Sequence, residues 1–134
     1  YGDGQHVRDW LHVEDHCRAL DLLIERGKNG EAYNIGGGTQ VTNISLTNRI
    51  LTILDRPSSL INPVADRPGH DRRYSLDTTK IRSLGWRPQH KFPEGLQATI
   101  KWYRDNEWWW RSIKETDKAY QEYYKNQYGN RPAY

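Results

Sequence analysis

The chain has 134 residues, enough for one domain, but its 35% apolar content and mean hydropathy of −1.02 are lean for a self-sufficient core; ordinary domains carry about 45–50% on a similar count that includes glycine. Six Trp and nine Tyr offset part of that deficit, because each ring buries a large area. The net charge of +3 suits an anionic small molecule and is too weak to argue for nucleic acid by itself.

In chain order, Tyr1 to Arg8 is polar and glycine-rich and reads as a loop, and Val7–Val13 alternates imperfectly, as a short strand does. Val13, Cys17, Leu20 and Ile24 recur at helical spacing behind the acidic Glu14 and Asp15, with Gly27 as the stop. "EAYNIGG" predicts a second short strand running into a glycine turn. Leu46, Ile50, Ile53 and Leu54 predict a helix capped by Asn43 or Ser45 and ended by Pro57. "SLINPV" is expected to be extended and to deliver the chain to a charged corner. Asp77 is placed to cap a short helix carrying Ile81 and Leu84 and closed by Gly85; Pro93 suits the first turn of the next, whose apolar face holds Leu96, Ile100 and Tyr103. The tail from Glu107 to Tyr134 holds eight of the sixteen aromatics and nearly balanced charge, which predicts packing rather than disorder. Short strands between amphipathic helices make this a mixed α/β chain with too few strands for a doubly wound sheet.

Cys17 is the only cysteine, which excludes an internal disulfide and agrees with a reducing, cytoplasmic compartment. No apolar run approaches the roughly 18 residues of a membrane span. Methionine is absent, even from position 1, so the chain reads as an excised piece whose core a further lobe completes. His12 and His16 are four apart, but no third partner is evident, so no metal site is expected. "GGGT" at Gly36 to Thr39 lacks the third glycine of a dinucleotide fingerprint and reads as a turn.

The segment "DRPGHDRRYSLD", Asp66 to Asp77, gathers three arginines, a histidine and three aspartates around one Pro-Gly bend. Guanidinium groups match phosphate oxygens with planar, bidentate donors, and Pro68 and Gly69 let backbone approach a ligand closely. A structural ion-pair network is the competing reading. For Arg8 the residues alone favour a surface ion pair with Asp9, and for Asn43 a plain N-cap, over a ligand contact.

"RDWLHVEDHCRAL", "GEAYNIGG", "DRPGHDRRYSLD" and "LGWRPQHKFPEGL", in this order and spacing, resemble the dTDP-glucose 4,6-dehydratases of the extended short-chain dehydrogenase/reductase superfamily. The resemblance runs from Tyr1 to about Trp102 and more loosely into the tail. It implies the small C-terminal, nucleotide-sugar-binding lobe of an enzyme whose Rossmann domain binds NAD elsewhere. It also implies substrate contacts at Tyr1, Gly2, Arg8, Asn43, Asp66, Arg67, Pro68, Gly69, His70 and Tyr128, with Arg8 and Arg67 facing the diphosphate of dTDP-glucose. The family oxidises the sugar at C4, removes water across C5 and C6, and returns hydride to C6. Its Tyr-x-x-x-Lys and Asp-Glu groups have no counterpart here, since no tyrosine is followed four positions later by lysine. No catalytic residue is therefore expected in this chain, and the intact enzyme is expected to be a homodimer. A related epimerase or decarboxylase lobe, or a single-stranded nucleic-acid module using arginines and stacked aromatics, are the alternatives.

Overall fold

A computed structural model of the chain describes residues 1–129; residues 130–134 and the side chain of Tyr128 lie outside the described part. The strand expected over Val7–Val13 is only Val7–Asp9 (β1), because the chain must turn for His12 to cap the helix Val13–Arg26 (α1). The second strand is Gln40–Thr42 (β2), antiparallel to β1 with Arg8 opposite Val41. The strand expected at "EAYNIGG" does not form: residues 31–37 join no ladder, and Tyr33 and Ile35 instead lie against the core. An extended segment needs a neighbour for its N–H and C=O groups, and β1 is already flanked. Its other edge is taken by the charged corner, which bridges Val7 to Arg73 in parallel; Val7 N–H donates to Arg72 (2.8 Å) and Tyr74 N–H to Val7 (3.1 Å).

Helix α2 spans Asn43–Ile53, and its cap is neither of the expected residues: the Thr42 hydroxyl accepts the Ser45 N–H at 3.2 Å. "SLINPV" opens with a 3-10 turn at Ser58–Leu60 and then runs without regular structure towards the corner. The N-cap of α3, Thr79–Ser83, is Thr78 rather than the expected Asp77, whose carboxylate still accepts the Thr79 N–H at 2.8 Å from one residue upstream; Gly85 follows with φ 99°. Helix α4, Phe92–Asp105, begins with Pro93 in its first turn, where the missing N–H is not needed.

Ala19, Ile81 and Trp86 form the buried core, with Leu11, Leu22, Leu23, Tyr33 and Ile35 packed on it. Asp15 joins them at 0% exposed. Its carboxylate accepts N–H groups from Gln89 (2.8 Å) and His90 (3.0 Å) and pairs with Arg18, tying α1 to the loop before α4. The apolar stripe read from the sequence is thus not the buried face of α1: Val13 is 66% and Ile24 85% exposed, with Leu20 and Cys17 also outward. Such a stripe, uncovered, is a surface that a neighbouring element can bury. The tail is helical, as α5 (Glu107–Thr116) and α6 (Lys118–Tyr128). It hangs from α4, where Trp109 meets Trp102 edge-on at 5.4 Å and the Trp110 indole donates to the Tyr103 carbonyl at 2.8 Å. Trp108, Tyr123 and Tyr124 remain exposed, so the expected packing is only partial.

Candidate anion-binding site

The corner turns where the Pro-Gly pair requires it. His70 N–H donates to the Arg67 carbonyl at 3.3 Å, and Gly69, third of the four residues, has φ 67°. Proline second and a left-handed glycine third is the pattern of a type II turn. Gly2 is buried with φ 53° directly against this turn; a Cβ there would stand 3.1 Å from Asp66 Oδ2. Its N–H donates to the Val64 carbonyl at 2.8 Å, fastening the start of the chain to the segment that enters the turn.

Most of the corner's charged side chains have hydrogen-bond partners within the chain. Arg72 makes a bidentate pair with Asp3 at 2.8 and 2.9 Å, which draws the Asp3 carboxyl down to about 2. Arg73 donates to the Gln40 amide oxygen, and Asp71 accepts the Tyr74 hydroxyl at 2.7 Å, a bond that raises the phenol's pKa. Asp66 serves His70 rather than an arginine: its Oδ1 accepts the Arg67 N–H (2.9 Å) and faces His70 Nδ1 at 2.6 Å. The His70 contact is the main reason its pKa is lowered. The structural ion-pair reading therefore holds for Arg72, while Arg73 is held by a neutral amide.

Arg8 and Arg67 are placed differently. Arg8 and Asp9 do not pair. Neighbouring residues on a strand point to opposite faces, and Asp9 turns to the glycine run, accepting N–H groups from Gly38 (3.1 Å) and Thr39 (3.0 Å). Arg8 lies over the Tyr74 ring at 4.3 Å, contacts His70 Nε2 at 2.8 Å, and donates to the Asp71 carbonyl at 3.2 Å. Arg67 is exposed and reaches over the Tyr1 ring at 5.8 Å, while Tyr1 meets His70 edge-on at 5.9 Å. Two guanidinium groups, an imidazole and a phenol thus converge at one bend, with Pro68 and Gly69 exposed beside them.

Of the expected site residues, Tyr1, Gly2, Arg8 and Asp66 to His70 come together. Asn43 adjoins them through its N–H, which donates to the His6 carbonyl at 2.9 Å; its half-buried side-chain amide is spared from capping by Thr42. The side chain of Tyr128 lies outside the described residues. The residue that sequence reasoning passed over is His6, 2% exposed and stacked on His70. No local pattern marks it, because its side-chain partners all lie in the distant 66–70 turn.

Among the described residues, tertiary folding gathers two candidate metal-ligand triplets, neither of which contains His16: His6, Asp66 and His70, and His12, Glu14 and His90. In both, the two imidazoles stack nearly parallel, with centroids 3.8 and 4.0 Å apart. An imidazole binds a cation in its own ring plane. A cation in the plane of one stacked ring lies out of the plane of the other, so neither triplet is shaped to share a metal.

The glycine turn is equally unsuited to a dinucleotide. The Asp9 carboxylate fills the space 2.5 Å from where a Gly36 Cβ would sit, and it already accepts the backbone N–H groups that a pyrophosphate needs. Cavities of about 560, 210 and 640 Å3 lie around α2, α4 and α5, and none of the three is lined by the corner. The corner is an open wall.

The family model described as GDP-mannose 4,6 dehydratase matches residues 1–99. A dTDP-glucose 4,6-dehydratase of Streptomyces niveus is 52% identical over 120 residues, covering 89% of this chain and 36% of that protein. The dTDP-glucose 4,6-dehydratase 1 of Escherichia coli is 45% identical over 139 aligned positions, 98% of this chain and 38% of that protein. A crystal structure of the dTDP-glucose 4,6-dehydratase of Streptomyces venezuelae with NAD bound superposes with a TM-score of 0.80 at 51% identity, over 84% of this chain and 35% of that one. The UDP-glucose 4-epimerase of Thermotoga maritima, with UDP-glucose, reaches 0.69 at 36% identity, over 80% of this chain and 34% of that one. The chain thus spans a little over a third of the length of the curated relatives it matches.

Proposed function

The chain belongs to the GDP-mannose 4,6 dehydratase family, and from that premise we propose that it is the nucleotide-sugar-binding portion of a dTDP-glucose 4,6-dehydratase. In this reading it is the C-terminal lobe of a longer, cytoplasmic, homodimeric protein. The whole protein converts dTDP-glucose to dTDP-4-keto-6-deoxyglucose and water. NAD is held by a Rossmann domain outside this chain, where it takes hydride from C4 and returns it to C6. The turn at Gly36 to Thr39, occupied by Asp9, gives no reason to seat that cofactor here.

The single observation that carries the reading is the convergence of Arg8 and Arg67 on one bend, while the adjacent Arg72 and Arg73 are matched to Asp3 and Gln40. Structural pairing accounts for the second two; it leaves Arg8 and Arg67 as the cations for a diphosphate. The lobe's task is then to bind and orient. Guanidinium donors take phosphate oxygens, and the Tyr1 and Tyr74 rings beneath them restrict their rotation before substrate arrives. Asn43, whose backbone N–H bonds to the His6 carbonyl, has a side-chain amide not used as the helix cap. Two facts favour dTDP-glucose over a UDP-sugar: the higher identity of the dTDP-glucose relatives, and their better superposition.

Calorimetry on the full-length protein tests this. Arg67→Ala should weaken dTDP-glucose binding by about ten- to a hundredfold, as expected for roughly 1.5–3 kcal/mol from a charge-assisted hydrogen bond. Arg87→Ala, whose guanidinium serves the Arg82 and Trp86 carbonyls, should leave affinity unchanged. Equal affinities for the two variants would sink the diphosphate assignment, and tighter binding of UDP-glucose than of dTDP-glucose would favour an epimerase lobe.

A further inference from the structure

His6 stands just before β1, buried, with its imidazole parallel to that of His70 at 3.8 Å and an interplanar angle of 18°. Its Nε2 is 3.3 Å from Asp66 Oδ2, while Asp66 Oδ1 faces His70 Nδ1 at 2.6 Å. One carboxylate is thus divided between two stacked rings. The far side of His70 reaches Arg8: Nη2 is 2.8 Å from Nε2. Through its backbone carbonyl His6 also holds the Asn43 N–H at 2.9 Å.

The proton positions follow from which partners can only donate. A guanidinium has no acceptor, so His70 Nε2 facing Arg8 must carry the lone pair. The His70 proton then sits on Nδ1 and is donated to Asp66. Only the neutral ring makes both contacts, because a second proton on Nε2 would point at the Arg8 cation. His6 Nε2 faces a carboxylate and so carries its proton there. His6 Nδ1 is left buried with no hydrogen-bond partner. A residue chosen only to fill space under His70 has no need of that polar edge, since a phenyl ring covers the same face without burying a lone pair. What histidine adds is the Nε2–H that fixes how the Asp66 carboxylate is rotated.

We infer that His6 is a positioning residue for the anion site: it holds Asp66 so that His70, in its Nδ1–H form, holds the Arg8 guanidinium for the ligand's diphosphate. This rests on the function proposed above. The charged and titratable groups facing the His6 ring are His70, Asp66, Arg72, Arg8 and Asp3; Tyr1 closes the far edge of His70. Burial lowers the His6 pKa first, and the neighbouring His70 lowers it further against the pull of Asp66.

Two variants separate positioning from packing in the full-length protein. His6→Phe keeps the stacked ring and removes the donor. His6→Gln keeps an N–H at the Nε2 position and does not titrate. With thymidine diphosphate as the probe, His6→Phe should lose roughly tenfold in affinity, the scale of one lost hydrogen bond, and His6→Gln should recover most of it. Nitrogen-15 NMR of the ligand-free protein should find His70 as the Nδ1–H tautomer in the parent and His6→Gln, and mixed in His6→Phe. An unchanged tautomer in His6→Phe overturns the inference, as does full nucleotide affinity in that variant. A parent protein that binds no nucleotide, yet shows the tautomer change, overturns the diphosphate function and leaves His6 as the residue that sets His70.

Discussion

Replacing Asp15 by alanine should be among the most destabilising single changes in this chain. The carboxylate is buried, and its two oxygens accept the Gln89 and His90 N–H groups at 2.8 and 3.0 Å, with Arg18 alongside. A hydrogen bond to a charged partner contributes about 1.5–3 kcal/mol, and a buried donor left unmade costs a similar amount. Two such bonds give roughly 3–6 kcal/mol, a large part of the 5–15 kcal/mol that holds an ordinary domain together. Asp15→Asn should fall between, because its amide supplies one acceptor and sets an N–H against the other donor. The Trp86 indole bonds to the Asp15 backbone carbonyl at 3.1 Å and survives either change. Urea unfolding followed by tryptophan fluorescence reads the loss. Burial by itself raises the Asp15 pKa, but the Gln89 and His90 N–H groups and Arg18 outweigh it, and the net shift is downward. The folded pKa lies below the unfolded value near 3.9. The carboxylate's contribution is therefore complete above that pH and is lost as pH falls through the folded value. Asp15→Ala should flatten that acid limb. A loss under about 1 kcal/mol at neutral pH, with the acid limb intact, would refute the reasoning.

Two further outcomes follow from the same geometry. With Thr42 as the cap, Asn43→Asp adds a negative charge to the first turn of α2, which carries no acidic residue. The melting temperature of the full-length protein should hold or rise, since helix-dipole stabilisation contributes about 0.3–1 kcal/mol. Affinity for dTDP-glucose should fall at the same time, since the amide donor becomes a carboxylate beside an anion; binding as tight as the parent's would remove Asn43 from the site. The 134-residue chain mixed with dTDP-glucose and NAD should form no 4-keto sugar, because it carries no Tyr-x-x-x-Lys. Turnover by the pure chain would show that the chemistry resides within it.

Helices α1 to α4 were legible because their signals are local, whereas the tail's composition predicts packing but not the helices α5 and α6. Apolar spacing, Gly27 and Gly85 as stops and Pro93 in a first turn act within a few residues of themselves, and each lies where those local rules put it; the Asp77 carboxylate serves the start of α3 from one residue before its cap. The turn at Pro68 and Gly69 is legible for the same reason, since the φ angles it needs belong to those two residues. Spacing could not say which face of α1 would be covered. The Val13, Leu20 and Ile24 stripe stays exposed while Asp15 and Ala19 go inside. A periodic pattern marks a face as apolar, but burial depends on what packs against it. Only the tertiary fold withheld a partner strand from "EAYNIGG" and gave β1 the neighbours Gln40–Thr42 and Arg73. It also divided the corner's arginines, sending Arg72 to Asp3 and Arg73 to Gln40 while bringing Arg8 to His70. Those partners are far apart in sequence, and guanidinium groups with the same local chemistry differ only in which acceptor the folded backbone brings within 3 Å of them.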